Sequence, residues 1–169
     1  MRLPFQRSFE RRQVRLALPP EDRARLAALR LRAKRRASED RRTTTGLLSL
    51  ARFVAMDLET TGPNMLRDRI ISIGAVAVVE RAVRHDDAFE VVVRQASESR
   101  ADNILIHQIG GQEQRAGVEP TEALLSFLEF LDGSIAVAFR SEFDSTVLGR
   151  ELQDSLGIRA VPRFLDLAS

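Results

Sequence analysis

The sequence contains no cysteine, no tryptophan and no tyrosine, and its aromatic residues other than histidine are nine phenylalanines. Without cysteine, the chain can form neither a disulfide nor a thiolate metal site, so its composition gives no sign of an oxidising compartment. No apolar run approaches the roughly 18–20 residues that a membrane-spanning helix requires. The basic start also lacks the long apolar segment of a secretory signal, and we therefore expect a cytoplasmic protein with no membrane partner.

The chain does contain enough apolar residues for a folded core, because 44% of its 169 residues are hydrophobic. This length accommodates one domain of ordinary size and an appendage. Residues 1–52 hold 15 basic and 5 acidic residues, whereas residues 53–169 hold 11 basic and 19 acidic residues. A basic leader on an acidic body is typical of a chain that binds a polyanion, and equally of a leader held against its own domain. Both interpretations stay open.

The residue pattern predicts two parts: a basic, partly helical extension with a linker over residues 1–46, and an α/β domain over residues 47–169. In the extension, prolines and acidic residues at positions 19–22 precede good helix formers, which predicts a helix over residues 21–36. The arginines of this helix can contact phosphates without reading sequence, or the helix can pack loosely on the domain.

The domain begins with three predicted strands joined by short connections, which indicates an antiparallel meander. These strands are Phe53–Asp57, Arg69–Glu80 and Ala88–Arg94, with the polar residues Arg84–Asp87 expected to form a turn before the third. Helices and strands then alternate as αβαβ. The predicted bounds are 120–132 for the first helix, 135–139 for its strand, 143–156 for the second helix and 163–167 for the last strand.

Two acidic residues, one residue apart, end the first predicted strand. Because side chains alternate along a strand, Asp57 and Glu59 leave the same face, with their Cα atoms about 6.5–7 Å apart. Carboxylates at this spacing suit hard cations such as Mg²⁺ or Mn²⁺, and two such ions about 3.5–4 Å apart can clamp a phosphodiester. Gly62 permits a sharp turn after the acids, and Thr60 and Thr61 can offer donors to a phosphate. The alternative is that both acids simply end a strand in solvent.

The segment Met56-Asp57-Leu58-Glu59-Thr60-Thr61-Gly62 resembles the first motif of the DnaQ-like (DEDD) 3′–5′ exonucleases, the family of the proofreading subunit of bacterial replicative polymerases. The resemblance implies a ribonuclease H-like fold, in which a three-stranded meander is followed by αβαβ. It also implies two Mg²⁺ or Mn²⁺ ions and the release of nucleoside 5′-monophosphates from a single-stranded 3′ end of DNA or RNA. A DNA polymerase is one candidate partner. Asp57 and Glu59 would be catalytic metal ligands, and Thr61 would touch the substrate.

A second resemblance lies where the strand at 135–139 gives way to a helix. Phe143-Asp144 is similar to the family's second motif, His-Asn-x-x-Phe-Asp, although Phe139 and Arg140 stand where that motif has His and Asn. Alone, an acid at a helix start is ordinarily a cap or a dipole partner. The resemblance makes Asp144 the third catalytic carboxylate and metal ligand, while Arg140 can still meet a phosphate.

A third resemblance concerns the loop histidine. Leu105-Ile106-His107-Gln108-Ile109 is similar to the family's Ile-His-Gly-Ile segment, whose histidine approaches the substrate near the 3′ end, with Gln108 replacing the glycine. A lone histidine in a loop is more often structural. In this neighbourhood His107 is expected to contact the substrate.

The family's third motif, His-x4-Asp, supplies a general base and a last metal-binding acid, and it is absent from this chain. The resemblance covers about residues 50–169 and ends near Asp166, which we interpret as structural, so we expect a domain that is incomplete at its C-terminus. Loss of a general base typically lowers a rate by about 10²–10⁴-fold. We therefore expect a metal-dependent exonuclease with impaired activity, and the alternative is a non-catalytic nucleic-acid-binding remnant of the same family.

Overall fold

The computed structural model describes residues 13–40, 52–159 and 162–168. The start of the predicted extension and residues 41–46 of the predicted linker lie outside these residues, while residues 38–40, also predicted as linker, are helical. Helix α1 spans Pro20–Asp40 and is longer than predicted. The domain then contains, in chain order, β1 Phe53–Thr60, β2 Ile70–Val79, β3 Ala82–Val92, α2 Ala101–His107, α3 Gly111–Ala116, α4 Pro120–Leu131, β4 Ile135–Ala138, α5 Ser141–Leu156 and β5 Phe164–Asp166.

The five strands form one mixed sheet in the order β3-β2-β1-β4-β5. Strand β1 pairs antiparallel with β2, which pairs antiparallel with β3. On its other side β1 pairs parallel with β4, which pairs parallel with β5. The predicted order, a three-stranded meander followed by αβαβ, is therefore confirmed. Strand β1 lies at the centre of the sheet, so the acids at its C-terminal end lie at the middle of one sheet edge.

The prediction of a polar turn at Arg84–Asp87 is wrong. The chain reverses at Glu80 and Arg81, whose φ values are 52° and 67°, and β3 begins at Ala82. His85 lies exposed on this strand. Since β3 is an edge strand with one side in water, charged residues are compatible with it. Neither residue of the true reversal is a glycine, so the sequence offered no turn signal there.

One face of the sheet packs against α4 and α5. On β1 the alternating residues Val54, Met56 and Leu58 are buried in the main apolar cluster. The two helices contribute side chains that are almost fully buried, among them Leu124, Leu125, Phe127, Val147, Leu148, Leu152 and Leu156. These positions recur at the three- and four-residue spacing of a helix face. The core therefore lies on the side of β1 opposite to Asp57 and Glu59.

Helix α1 is docked on the domain through α4. Leu18 and Leu26 are buried in the same apolar cluster as the sheet. Arg25 donates hydrogen bonds to Glu122 and Glu129, with an Nη2–Oε2 distance of 2.9 Å to the latter. These hydrogen bonds, assisted by the charge of Arg25, lower the pKa of both carboxyls. Of the two interpretations of the basic leader, packing against its own domain holds for α1. The domain boundary at residue 46 stays a prediction.

In the described part of the chain, no helix is both long enough and apolar enough to span a membrane. The longest, α1 with 21 residues, carries charged residues along its length.

Replacing Leu26 by alanine tests whether α1 belongs to the folded unit. Leu26 is 4% exposed whereas Leu31 of the same helix is 52% exposed. We expect Leu26→Ala to lower the free energy of unfolding by about 2–3 kcal/mol, because it empties a packed site, and Leu31→Ala to change it by less than about 0.5 kcal/mol. Urea denaturation measures both. Equal effects of the two substitutions would show that α1 is not docked in solution.

Candidate active site

Asp57 and Glu59 lie on the same face of β1, as the alternation of side chains predicts. The intervening Leu58 points into the core, while Asp57 is exposed and Glu59 is half-buried. Across the antiparallel pair with β2, Asp57 faces Gly74 and Glu59 faces Ser72. A Cβ added at Gly74 would meet no atom within 4 Å. Open space therefore lies beside the two carboxylates.

Asp144 joins this pair from α5. Its side chain lies in the first turn of the helix and the residue is only 4% exposed, although it is an acid. Burial, and secondly the negative charge of Asp57, raise the pKa of Asp144 to about 6, while hydrogen bonds from the backbone N–H groups of Asp144 and Leu58 oppose this shift. The packing of α5 against β1 thus brings Asp144 to the strand end that carries Asp57.

In addition to burial, the charge of Asp57 raises the pKa of both other acids, Glu59 and Asp144. Burial raises the pKa of Glu59, the charge of Asp57 raises it further, and His107 acts in the opposite direction. Two carboxylates that share a site disfavour each other's ionised form. Within the described ranges, however, no group of three or more His, Cys, Asp or Glu side chains is arranged to hold a metal ion. Asp57, Glu59, Asp144 and His107 are close enough to affect one another's charge, but they do not form a closed set of metal ligands.

The donors that are present fit a divalent cation chemically. Their ligand atoms are carboxylate oxygens, which Mg²⁺ and Mn²⁺ prefer, and a nearby cation would favour the ionised forms that burial and repulsion oppose. Asp57, Glu59 and Asp144 are the residues that could hold such an ion. Because they are not already arranged as a closed set, metal binding would require them to move closer together or further ligands to join them.

His107 ends helix α2, which the sequence did not predict. Asn103 of this helix donates from Nδ2 to the backbone oxygen of Thr60 at 2.7 Å and so joins α2 to the end of β1. The Nδ1 atom of His107 accepts a hydrogen bond from the N–H of Ile109 at 3.0 Å. In a neutral ring the proton then resides on Nε2, which is buried and lacks a hydrogen-bond partner among the described residues. His107 acts electrostatically on the pKa of Glu59, so this donor lies near that carboxylate, and Nε2 would have to become exposed before it could reach a substrate.

Thr61 is already engaged in the loop that follows β1. Its hydroxyl donates to Asp68 at 3.1 Å and accepts from the N–H of Arg69 at 3.0 Å, and its own N–H donates to the oxygen of Arg69. A Cβ at Gly62 would lie 2.7 Å from Oδ2 of Asp68, so a larger residue there would have to displace this carboxylate from its bonds with Thr61 and Asn64. The predicted substrate contact of Thr61 would have to be shared with these loop bonds.

No sequence pattern predicts the residues that hold this loop against α5. Arg150 donates to the backbone oxygens of Met65 and Asp68. Its neighbour Glu151, only 3% exposed, forms salt bridges with Arg69 at 2.7 Å and with Arg150 at 3.3 Å. A buried carboxylate must be paired with opposite charge. Of the two partners of Glu151, Arg69 lies in the loop and Arg150 lies in α5. These contacts position the loop beside Asp57 and Glu59, and no local motif reveals them.

Asp166 is structural, as interpreted from the sequence, and its role is specific. Arg140 precedes α5 without a side-chain cap, and Asp166 of β5 supplies one by accepting from the N–H groups of Arg140 and Ser141, both at 3.1 Å. These bonds, with one from Ala168, lower the pKa of Asp166, whose charge in turn raises that of Asp144. The last strand therefore holds the helix that carries the third acid.

Comparison with known proteins agrees with this architecture. The family model RNase_T, described as an exonuclease, matches residues 54–167. The DNA polymerase III PolC-type of Caldanaerobacter subterraneus subsp. tengcongensis is 31% identical over 116 residues, which cover 68% of this chain and 8% of that protein. Its counterpart in Thermotoga petrophila is 32% identical over 118 residues, 69% of this chain and 8% of that protein. The chain thus spans about 8% of the length of these relatives.

Solved structures with the same fold include forms of exonuclease I. Exonuclease I in its apo form superposes with a TM-score of 0.60 at 17% identity, covering 70% of this chain and 29% of that chain. The E. coli enzyme in complex with a 5cy-dA13 oligonucleotide gives 0.59 at 18% identity, with coverages of 69% and 28%. The ExoI/SSB-Ct complex gives 0.60 at 18%, with coverages of 70% and 28%. At this identity the likeness establishes the fold alone.

Replacing Asp144 by asparagine should stabilise the metal-free protein. Because the folded-state pKa of Asp144 is raised from 3.8 to about 6, ionisation destabilises the fold progressively as the pH rises between these values. At pH 7 we expect Asp144→Asn to raise the free energy of unfolding by about 2 kcal/mol, with the gain vanishing below about pH 4. Urea denaturation in EDTA across pH measures this. Asp154→Asn, at an exposed position of the same helix, is the control, and a loss of stability in Asp144→Asn at pH 7 would contradict the account.

Asp166 should have the opposite pH dependence. The pKa of Asp166 is lower in the folded state than its unfolded value of about 3.8. Ionised Asp166 therefore stabilises the fold above about pH 3.8, and this stabilisation is lost as the pH falls through the lower folded-state pKa. We expect Asp166→Asn to lower the melting temperature at pH 7, because its charged acceptor for the first N–H groups of α5 is removed, and to approach the wild type below pH 3–4. Calorimetric scans at several pH values check this. A difference independent of pH would exclude the charged cap.

Proposed function

The chain belongs to the RNase_T exonuclease family, and from this premise we propose that it is a divalent-metal-dependent 3′–5′ exonuclease acting on single-stranded nucleic acid. It would hydrolyse phosphodiesters from the 3′ end and release nucleoside 5′-monophosphates. The observation that carries the proposal is the burial of Asp144 against the strand end that bears Asp57. A buried acid among other acids is costly to fold and is typical of a functional site.

Each side chain has a proposed task. Asp57, Glu59 and Asp144 would hold two Mg²⁺ or Mn²⁺ ions, which, when bound, supply an activated water and stabilise the leaving oxygen. The charges of Asp57 and His107 both act on Glu59, with opposite effects on its pKa, and Glu59 would orient the attacking water. His107 would donate from Nε2 to a substrate oxygen near the 3′ end, because its Nδ1 is already occupied. Thr61 would hold the loop and contribute a contact to the substrate.

The partners follow from the relatives. The PolC-type proteins are DNA polymerases by name, and a solved structure with this fold contains an oligonucleotide. We propose that the substrate is a single-stranded 3′ end and that the domain works beside a DNA polymerase in the cytoplasm. The docking of α1 on α4 uses Arg25 and Arg32 for contacts within the domain, so these two arginines are not free to contact the phosphates of a bound strand.

A second candidate function is non-catalytic binding of nucleic acid. It is favoured by one observation, that within the residues described no three potential ligands are arranged to hold a metal ion. On this alternative the fold and its carboxylates would persist without hydrolysis.

Degradation of a 5′-labelled single-stranded oligonucleotide in Mn²⁺ separates the two functions. The exonuclease predicts a ladder that shortens from the 3′ end and is abolished by EDTA. We expect the double variant Asp57→Ala, Glu59→Ala to lower the rate at least about 100-fold, because it removes two of the three proposed ligands. The matched control is Asp86→Ala, an exposed carboxylate on the edge strand β3, which should leave the rate unchanged.

Two results would decide against hydrolysis at this site. A ladder that persists in the double variant would locate the activity elsewhere or in a contaminant. No ladder from a folded wild-type protein that still binds the labelled strand would favour the non-catalytic alternative.

A further inference from the structure

One phenylalanine is placed differently from the others. Of the seven phenylalanines in the described ranges, six are buried or half-buried, and Phe139 alone is exposed, with 67% of its surface accessible. An exposed apolar residue by itself needs no explanation. Phe139, however, lies at the candidate active site, where an exposed aromatic ring could contact a bound molecule.

The strand register places Phe139 beside the acids. Strand β4 pairs parallel with β1, with Val137 opposite Ala55, so two residues later Phe139 comes level with Asp57. Neighbouring strands lie about 4.8 Å apart. Phe139 and Arg140 also connect β4 directly to α5, whose first turn carries Asp144. The exposed ring therefore stands at the same sheet edge as the carboxylates.

Arg140 presents a cation next to this ring. Its backbone is in the left-handed conformation, with φ 54° and ψ 52°, and its N–H donates to Asp166 at 3.1 Å. Its guanidinium carbon lies 5.7 Å from the centroid of the Phe139 ring. The guanidinium forms no salt bridge with any residue that the structure describes. An aromatic face and an available cation thus project together from a turn that Asp166 holds.

We propose that Phe139 and Arg140 bind single-stranded nucleic acid next to the catalytic carboxylates, the ring stacking on a base near the 3′ end and the guanidinium meeting an adjacent phosphate. The inference rests on the proposed function and specifies which part of the substrate the protein recognises, namely a base near the 3′ end and the phosphate next to it. Surfaces that bind single strands combine aromatic rings for the bases with basic groups for the backbone, and such stacking accepts every base. A base that is paired within a duplex cannot offer its face to the ring, so the contact favours an unpaired 3′ end.

Leu167 suggests a rival occupant of the same surface. It is 63% exposed, and its N–H donates to the backbone oxygen of Ala138 at 3.0 Å, so its side chain adds to an apolar strip with Phe139. A protein could cover such a strip. The cation stacked beside Phe139 favours nucleic acid, because a phosphate would satisfy it and an apolar protein surface would not.

The test compares two strands bound by the full chain in EDTA, which prevents hydrolysis, by fluorescence anisotropy. One is a 5′-fluorescein-labelled 12-nucleotide single-stranded DNA, and the other is identical except for abasic residues at its last three 3′ positions. We expect the wild type to prefer the strand with bases. Phe139→Leu should lower the affinity for the strand with bases about tenfold and leave the affinity for the abasic strand unchanged. Phe139→Tyr should retain the preference for the strand with bases.

Arg140→Gln tests the phosphate contact against a control with the same backbone conformation. This substitution should lower the affinity for both strands several-fold and reduce the salt dependence of binding, because one cation–phosphate contact is lost. Arg81→Gln should leave the affinity for both strands unchanged, because this exposed arginine, with φ 67°, lies on the distant β2–β3 reversal.

Three outcomes would overturn the proposal. Equal affinities of the wild type for both strands, unchanged by Phe139→Leu, would remove the stacking contact while leaving the proposed function intact. No binding of either strand by the wild type would overturn the stacking contact, while the degradation assay in Mn²⁺ decides the proposed function separately. A change in oligomeric state of Phe139→Leu on size-exclusion chromatography, with no change in strand affinity, would identify the surface as a protein contact.

Discussion

The packing of α5 against the end of β1 is the contact on which the candidate site depends. It buries Asp144 at 4% exposure next to a strand end that already carries Asp57 and Glu59. In the absence of a cation the arrangement is unfavourable, as the raised pKa values of Asp144 and Glu59 record. The apolar residues of α5 and β1 supply the free energy that holds these acids together. The stability of the fold and the proposed function of Asp144 therefore make opposite demands on this residue.

The surrounding contacts keep this arrangement rigid from three sides. Asp166 caps α5 from the neighbouring strand, and Arg150 and Glu151 fix the loop that follows the acids. Asn103 attaches the helix that carries His107 to the end of β1. Each anchor joins elements that are distant in sequence. The candidate site is thus built on strands and helices, and the Thr61 loop and the turn at Phe139–Arg140 lie beside it.

Much of the fold was predictable because its signals are local. The alternation around Asp57 and the apolar face of α4 indicated their elements directly, and the family resemblance of Met56–Gly62 is confirmed by the matching family model. The start of β3 was not predictable, since polar residues on an edge strand resemble a turn and the reversal at Glu80–Arg81 has no glycine. The burial of Asp144 and the cap supplied by Asp166 arise from tertiary packing, which no spacing in the sequence encodes. The roles of the five predicted site residues stay predictions.

The central claim is that the carboxylates around Asp57 form a site for divalent cations. The most direct measurement is an NMR titration of the Asp144 side-chain carboxyl carbon against pH, with and without saturating Mg²⁺. The account predicts a pKa of about 6 without metal and a clearly lower value with it, because the cation offsets both burial and the charge of Asp57. The same shift should be absent in Asp57→Asn, Glu59→Gln. An Asp144 pKa that does not respond to Mg²⁺ in the wild type would contradict the metal site and favour a fold that binds nucleic acid without hydrolysing it.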